Sequence, residues 1–188
     1  MEIDAGASGS ERDALLRSRL GHLCHFIRWT GIAWIVWVFA EVLMAWGDRD
    51  KVTAIYGRLF KADLSALPLG DHMLGLAIVL TDVAAAAAVS FFVWRLFGHY
   101  LRGNIFSSSA VDAMRNLGCA GVAAVLADLV TRPMLAWALT RHLGDGQPMH
   151  VWTDPQDLLH LLMALFIVAL AHVFKTGVEI ADENKHFV

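Results

Sequence analysis

The chain has 188 residues, of which 57% are hydrophobic and only 18% charged, with a formal net charge of −3. Soluble domains hold about 45–50% apolar residues even when glycine is counted, so these numbers and a mean hydropathy of +0.52 exclude an ordinary soluble domain. Nor does the slightly acidic balance supply the basic surface that direct nucleic-acid binding needs.

The polar start, MEIDAGASGSERDALLRSRL, reads as a tail (residues 1–20) that becomes helical near Ala14. The first apolar run extends from Phe26 to Trp46, with Arg28 and Glu41 as its charges. It is too long and begins too late for the apolar core of a secretory signal, and no small-residue cleavage site follows. Trp29 and Trp46 stand at its two ends, where aromatic belts form at membrane interfaces. Next, KVTAIYGRLFKADL places Val52, Ile55 and Leu59 at helical spacing, which predicts a short interfacial helix.

The second run extends from Met73 to Trp94, and Asp82 is its one charge. Its DVAAAAAVS segment is a run of small residues, which predicts close helix packing. A loop follows in which Ser107, Ser108 and Ser109 offer hydroxyls to cap the next helix. The third run, from Leu117 to Leu139, carries Asp128, Arg132 and Pro133. Gly118 and Gly121, with Ala120, Ala124 and Ala127, predict a second close-packed face. The stretch RHLGDGQPMHVWTDPQD reads as a loop on its Gly, Pro and Asp punctuation. Thr153 or Asp154 can cap the last run, with Pro155 in its first turn. That run, from Leu158 to Phe174, is somewhat shorter than the others and has no formal charge.

A bilayer core of ~30 Å needs roughly 20 apolar residues in a helix. Each of the four runs has that length or comes close to it. A spanning segment must also satisfy its backbone internally. The expected fold class is therefore all-α: an integral membrane four-helix bundle, one transmembrane domain over residues 21–188. Four crossings put both termini on one side. Nine Lys and Arg residues fall on that side (Arg12, Arg17, Arg19, Arg28, Arg95, Arg102, Arg115, Lys175, Lys185) and five on the other (Arg49, Lys51, Arg58, Lys61, Arg141). The positive-inside rule then makes both termini cytoplasmic. Cys24 and Cys119 are expected to be free thiols near that face.

Ionisable groups inside spans are costly and mark candidate sites. Asp128 and Arg132 are one helical turn apart and can pair. Pro133 removes a backbone hydrogen bond and frees the carbonyl near Leu129. Glu41, Arg132 and His160 fall at similar depth from the outer boundary, with Asp82 and Asp128 somewhat deeper. Arg132 is thus the expected counter-ion for as many as three carboxylates. Two readings stay open: a polar network that fixes helix register, or a pocket for a ligand or proton. The carboxylates outnumber the single arginine, so one of them is either protonated or awaits a cation.

The nine histidines raise the question of haem, which needs two histidines on facing helices at one depth. His25 with His172, and His72 with His160, are the pairs at matching levels. His160 and His172 are twelve apart, which turns them about 120° from each other on an ideal helix, so no cofactor is assigned. His22, Cys24 and His25 lack a fourth metal ligand, and no metal is assigned either. His142, Asp145, His150, Asp154 and Asp157 make an outer loop that can sense metal or acidity, or simply be solvated. No Walker loop, nucleophile elbow or HExxH occurs, so the expectation is a protein that is not an enzyme.

Two segments carry a family likeness. LRGNIFSSSAVDAMRNLG (Leu101 to Gly118) holds a Gly-x-x-Phe turn, a serine cap, Arg115 and Gly118; HVFKTGVEIADENKHFV (His172 to Val188) holds Phe174, Gly177, Glu179, a DEN triplet and a last Val. Together they resemble the bacterial domain-of-unknown-function family two-nine-seven-five (DUF2975) of small four-helix inner-membrane proteins. The resemblance implies the lipid bilayer as surroundings and a cytoplasmic helix-turn-helix transcriptional regulator as partner. It implies no catalytic residues. The same two segments supply the expected docking face: Arg102, Phe106, Arg115, Glu179, Asp182, Glu183 and Asn184. An acidic tail beside a basic loop can equally close into an internal clasp. The expected function is a membrane sensor or regulator with Glu41, Asp82, Asp128, Arg132 and His160 as its polar cluster. The alternatives are a small carrier, which four helices would require to be a homodimer, and a haem- or quinone-binding protein.

Overall fold

A computed structural model describes residues 5–102, 107–144 and 154–185, and their side chains over 21–102, 107–144 and 154–180. The described residues form α1 (Ala5–Trp46), α2 (Arg49–Phe60), α3 (Leu69–Leu101), α4 (Ser108–Thr140) and α5 (Pro155–Lys185), with a 3-10 turn over Arg141–Leu143. Four stretches are long and apolar enough to cross a membrane: Gly21–Trp46, Leu69–Leu101, Ser108–Leu143 and Pro155–Ile180. The chain is thus an all-α, multi-pass membrane protein by the length and composition of its helices. Each helix outruns its apolar run because capping, rather than hydropathy, decides where a helix stops. α1 starts at Ala5, ahead of the start expected near Ala14. α4 starts where the Ser107 hydroxyl accepts from the Ala110 amide at 3.2 Å.

The helices pack serially and antiparallel. α1 lies on α3, α3 on α4 and α4 on α5. Among the described residues, α1 and α5 have no extensive contact with each other. The α4–α5 seam is close because Gly118 and Gly121 leave room for it. A Cβ at Gly118 would lie 2.5 Å from Val168 Cγ2 and 2.9 Å from the Val168 amide nitrogen, and one at Gly121 would meet the Ala164 Cβ at 3.0 Å. Opposite them, α5 buries Asp157, Ala164 and Ala171, a seven-residue spacing that keeps one narrow stripe against α4. The middle of α1 is fixed to the last third of α3 by Arg28, whose guanidinium sits 3.7 Å over the Trp94 ring, while Trp29 meets Trp94 edge-on.

The buried apolar core lies at the end of the array that carries α2, here termed the capped end. Trp46, Val52, Leu64, Leu67 and Leu139 form it. Trp46 is 4% exposed, so it is a core residue rather than a belt anchor, because α2 and the segment after it fold back over its ring. The predicted α2 is present, but its stripe divides. Val52 turns into the core, while Ile55 and Leu59 stay exposed. Asp48 caps α2 by accepting from the Asp50 and Lys51 amides, and the Lys51 amide bond first of all holds its carboxyl below the usual range. Burial pushes the Tyr56 hydroxyl up against the same core, partly offset by its contact with Trp46. The alanine run of α3 does not close-pack as its composition predicts. Residues 84–88 are half-buried or exposed, and Ala84, Ala85, Ala86 and Ala87 line two cavities instead.

Candidate functional site

Arg132 is gripped by two carboxylates at once. Its Nε donates to Asp128 Oδ1 at 3.1 Å and its Nη2 to Asp128 Oδ2. From α5, Asp157 accepts a two-pronged bond, Nη1 to Oδ2 at 2.8 Å and Nη2 to Oδ1 at 2.7 Å. The predicted i,i+4 pair is therefore present, but the second partner is Asp157 rather than Glu41 or Asp82. Asp157 is placed by its own helix end. It is the third helical residue, and its Oδ2 accepts the Asp154 amide at 2.8 Å, while Asp154 Oδ1 accepts from the Gln156 amide. The bond from Asp157 back to the Asp154 amide is the return half of a capping box, while the Asp154 side chain caps the second helical amide instead of the third. The sequence carries that signal in TDPQD, where an acid stands three residues after a capping residue.

Asp82 is held differently. The Thr131 hydroxyl lies 2.8 Å from Asp82 Oδ1 and 2.9 Å from Oδ2, and 3.2 Å from the Asp128 carbonyl. Thr131 itself is buried. It sits one residue before Arg132, so neighbouring residues on α4 hold neighbouring carboxylates from two different helices. No titratable signal marks Thr131 in the sequence. Only the α3–α4 contact brings it into play. α4 runs unbroken through the buried Pro133.

Of these groups, Asp82 and Asp128 border a groove of about 650 Å³ between the separated walls α1 and α5, floored by α3 and α4. Trp34 enters from α1. Asp82, Ala85, Ala86 and Val89 enter from α3, and Leu117, Gly121, Ala124, Val125 and Asp128 from α4. His160, Met163, Ala164 and Ile167 enter from α5. The volume lies within the range of small-molecule sites, roughly 300–1,000 Å³, and the mix of apolar walls with a few polar groups is typical of them. Asp82 lies thirteen residues into α3, about 20 Å along the helix axis, so the polar end of the groove is deep. A second groove of about 410 Å³ on the other side of α1 is lined by Ile35, Val36, Phe39, Leu80, Val83, Ala84 and Ala87 and has no polar side chain.

The structure thus brings Asp82, Asp128, Arg132 and His160 into one neighbourhood. Glu41 is exposed on α1 and does not line the groove. Of the expected docking residues, Arg102 closes α3 by donating to the Gly98 carbonyl, and Arg115 pairs with Asp112 on its own helix at 3.4 Å. Glu179 lies 3.7 Å from Lys175 on its own helix rather than against the loop arginines. Phe106 and the side chains of Asp182, Glu183 and Asn184 lie outside the described residues, as do Asp145 and His150. Both cysteines are free thiols, Cys24 buried and Cys119 exposed.

A second buried polar group sits at the capped end. Arg141 donates through Nε and Nη2 to Asp71 Oδ1 at 2.9 and 2.6 Å, and His142 Nδ1 approaches Asp71 Oδ2 at 3.5 Å. His72 Nε2 donates to the Trp46 carbonyl at 2.9 Å. A carbonyl only accepts, so Nε2 carries the proton and the ring is committed to this bond rather than to a pairing with His160. His25 and His172 are both exposed. Among the described residues no group of three or more His, Cys, Asp or Glu is arranged to hold a metal ion.

The model of the family described as "Protein of unknown function (DUF2975)" matches residues 58–188, the family the two quoted segments resemble. No curated protein and no solved structure matches.

Proposed function

The chain belongs to the family of proteins of unknown function DUF2975, and we propose that it is a non-enzymatic membrane sensor whose groove occupancy sets the spacing of α1 and α5. One observation carries this reading. The two helices that wall the groove have little contact with each other, yet each runs unbroken past the groove toward a chain terminus. A straight helix transmits a displacement along its length, so a change at Trp34 or His160 reaches the tails. Switching requires two packings of comparable stability, and a wall with a narrow packing stripe has less to lose in shifting than a fully buried helix. The Lys and Arg distribution supports cytoplasmic tails and a bacterial inner-membrane location. There, the tails would meet a cytoplasmic regulator.

Occupancy can be imitated without knowing the ligand. Gly21 and Gly177 have nothing within 4 Å of an added Cβ, so Gly21→Cys and Gly177→Cys carry spin labels without crowding, in a background of Cys24→Ala and Cys119→Ala. Ala86→Trp fills the groove. The expected result is a shifted label-to-label distance distribution in lipid nanodiscs, and an unchanged distribution overturns the sensor reading. The second reading is a carrier, favoured by the intramembrane carboxylates at the groove. It requires solute or proton uptake into proteoliposomes that Asp128→Asn abolishes.

A further inference from the structure

We infer that the groove takes a cationic amphiphile, a protonated amine or quaternary cation on an apolar body, with its charge at Asp82 and Asp128. The inference rests on the sensor reading for its site and adds the class of ligand. Two carboxylates line the groove, Asp82 from α3 and Asp128 from α4, and Asp157 of α5 is tied to Asp128 through Arg132. Arg132 is spent on Asp128 and Asp157. The hydrogen bonds to Asp82 come from a neutral hydroxyl, so among the described residues Asp82 has no ion-pair partner of its own. The remaining titratable group in the groove wall is His160. Even with His160 protonated, carboxylates outnumber cations by one. A charge in a membrane span needs a partner, and an anionic ligand would meet repulsion.

The rest of the groove fits the rest of such a ligand. From Asp128 to Leu117 the α4 floor runs eleven residues, about 16 Å of helix, with no charged residue lining it beyond Asp128. Ala85 and Ala86 keep that space open. Trp34, 51% exposed, lines the same groove from α1, and an aromatic face attracts a cation that has shed water. Size, apolar length, negative head and aromatic face point to one class of molecule.

The probe is tetraphenylphosphonium, measured by equilibrium dialysis against the full chain in nanodiscs of neutral lipid. The expected result is saturable binding near one per chain, displaced by a long-chain tertiary amine and not by tetraphenylborate. Asp82→Asn should weaken binding by about thirtyfold or more, as when one partner of a desolvated charge pair is removed. Ala86→Trp should block it sterically with Asp82 intact, which keeps the test valid if the aspartate variant folds poorly. Glu41→Gln, outside the groove, should leave it unchanged. Binding no greater than to empty nanodiscs, or equal binding of an uncharged analogue, overturns the inference. The latter result would make the groove a slot for lipid chains. Saturable binding that leaves the 21–177 distance unchanged supports the ligand class and overturns the sensor reading. A distance that answers to Ala86→Trp without cation binding overturns the ligand class alone.

Discussion

Thr131 has one hydroxyl proton and three acceptors within reach, the two Asp82 oxygens and the Asp128 carbonyl. When the proton goes to Asp82, the carboxylate is satisfied as an anion. When it goes to the backbone, Asp82 must itself be protonated to bond the hydroxyl. The residue thus couples the charge of Asp82 to the proline-bearing turn of α4. Thr131→Val removes the donor and leaves a half-buried carboxylate without its partner, a cost of about 1–3 kcal/mol. Adding Asp82→Leu should restore most of that loss, since removing both polar partners is close to neutral. Thermal unfolding of the single and double variants in nanodiscs checks this, and an indifferent Thr131→Val would show that the contact carries no stability. The i,i+4 pair of Asp128 and Arg132 was legible in the sequence. Asp157 and Thr131 were not, because their partners lie 25 and 49 positions away in the chain.

At the scale of elements, small residues play two opposite parts. Gly118 and Gly121 let α5 approach α4 closely, as their spacing predicts. The alanines of α3 face cavities, because α1 and α5 diverge above them and nothing fills the space. Composition alone does not separate these outcomes, since a short side chain permits close approach but does not cause it. Gly118→Leu would drive a branched side chain into Val168 and the α5 backbone, at a cost of about 1–3 kcal/mol. Gly31, with nothing within 4 Å of its added Cβ, should accept alanine with no loss and a gain of up to about 1 kcal/mol in helix propensity. Equal effects from Gly118→Leu and Gly31→Ala in the same unfolding assay would contradict the close seam. α2 follows the same logic. Its amphipathic spacing was readable, but which of its apolar residues enters the core depends on where Trp46 and Leu64 lie.

At the scale of the molecule, the core and the groove occupy different levels. The core at the capped end ties α1, α2, α3 and α4 together, while the deeper half is held by narrow seams and by polar contacts. In lipid, apolar faces gain little by meeting one another, so helix association rests on close packing and hydrogen bonds. Outside the lipid, burial drives assembly again. Leu64→Ala at the capped end should therefore cost about 2–5 kcal/mol, whereas Leu126→Ala, on an exposed face, should be near neutral. Comparable losses at both sites would refute this division. The sequence by itself determined four apolar helices, their order, the short α2 and the family. Length and hydropathy are local properties, and a membrane accepts only helices of that kind. Tertiary structure alone decided that α1 and α5 stand apart, that Arg132 closes on Asp157, and that Asp82 is left with a hydroxyl. Those outcomes depend on the rotation and tilt of each helix about its neighbours. Contacts distant in the chain set both, and no run of residues records them.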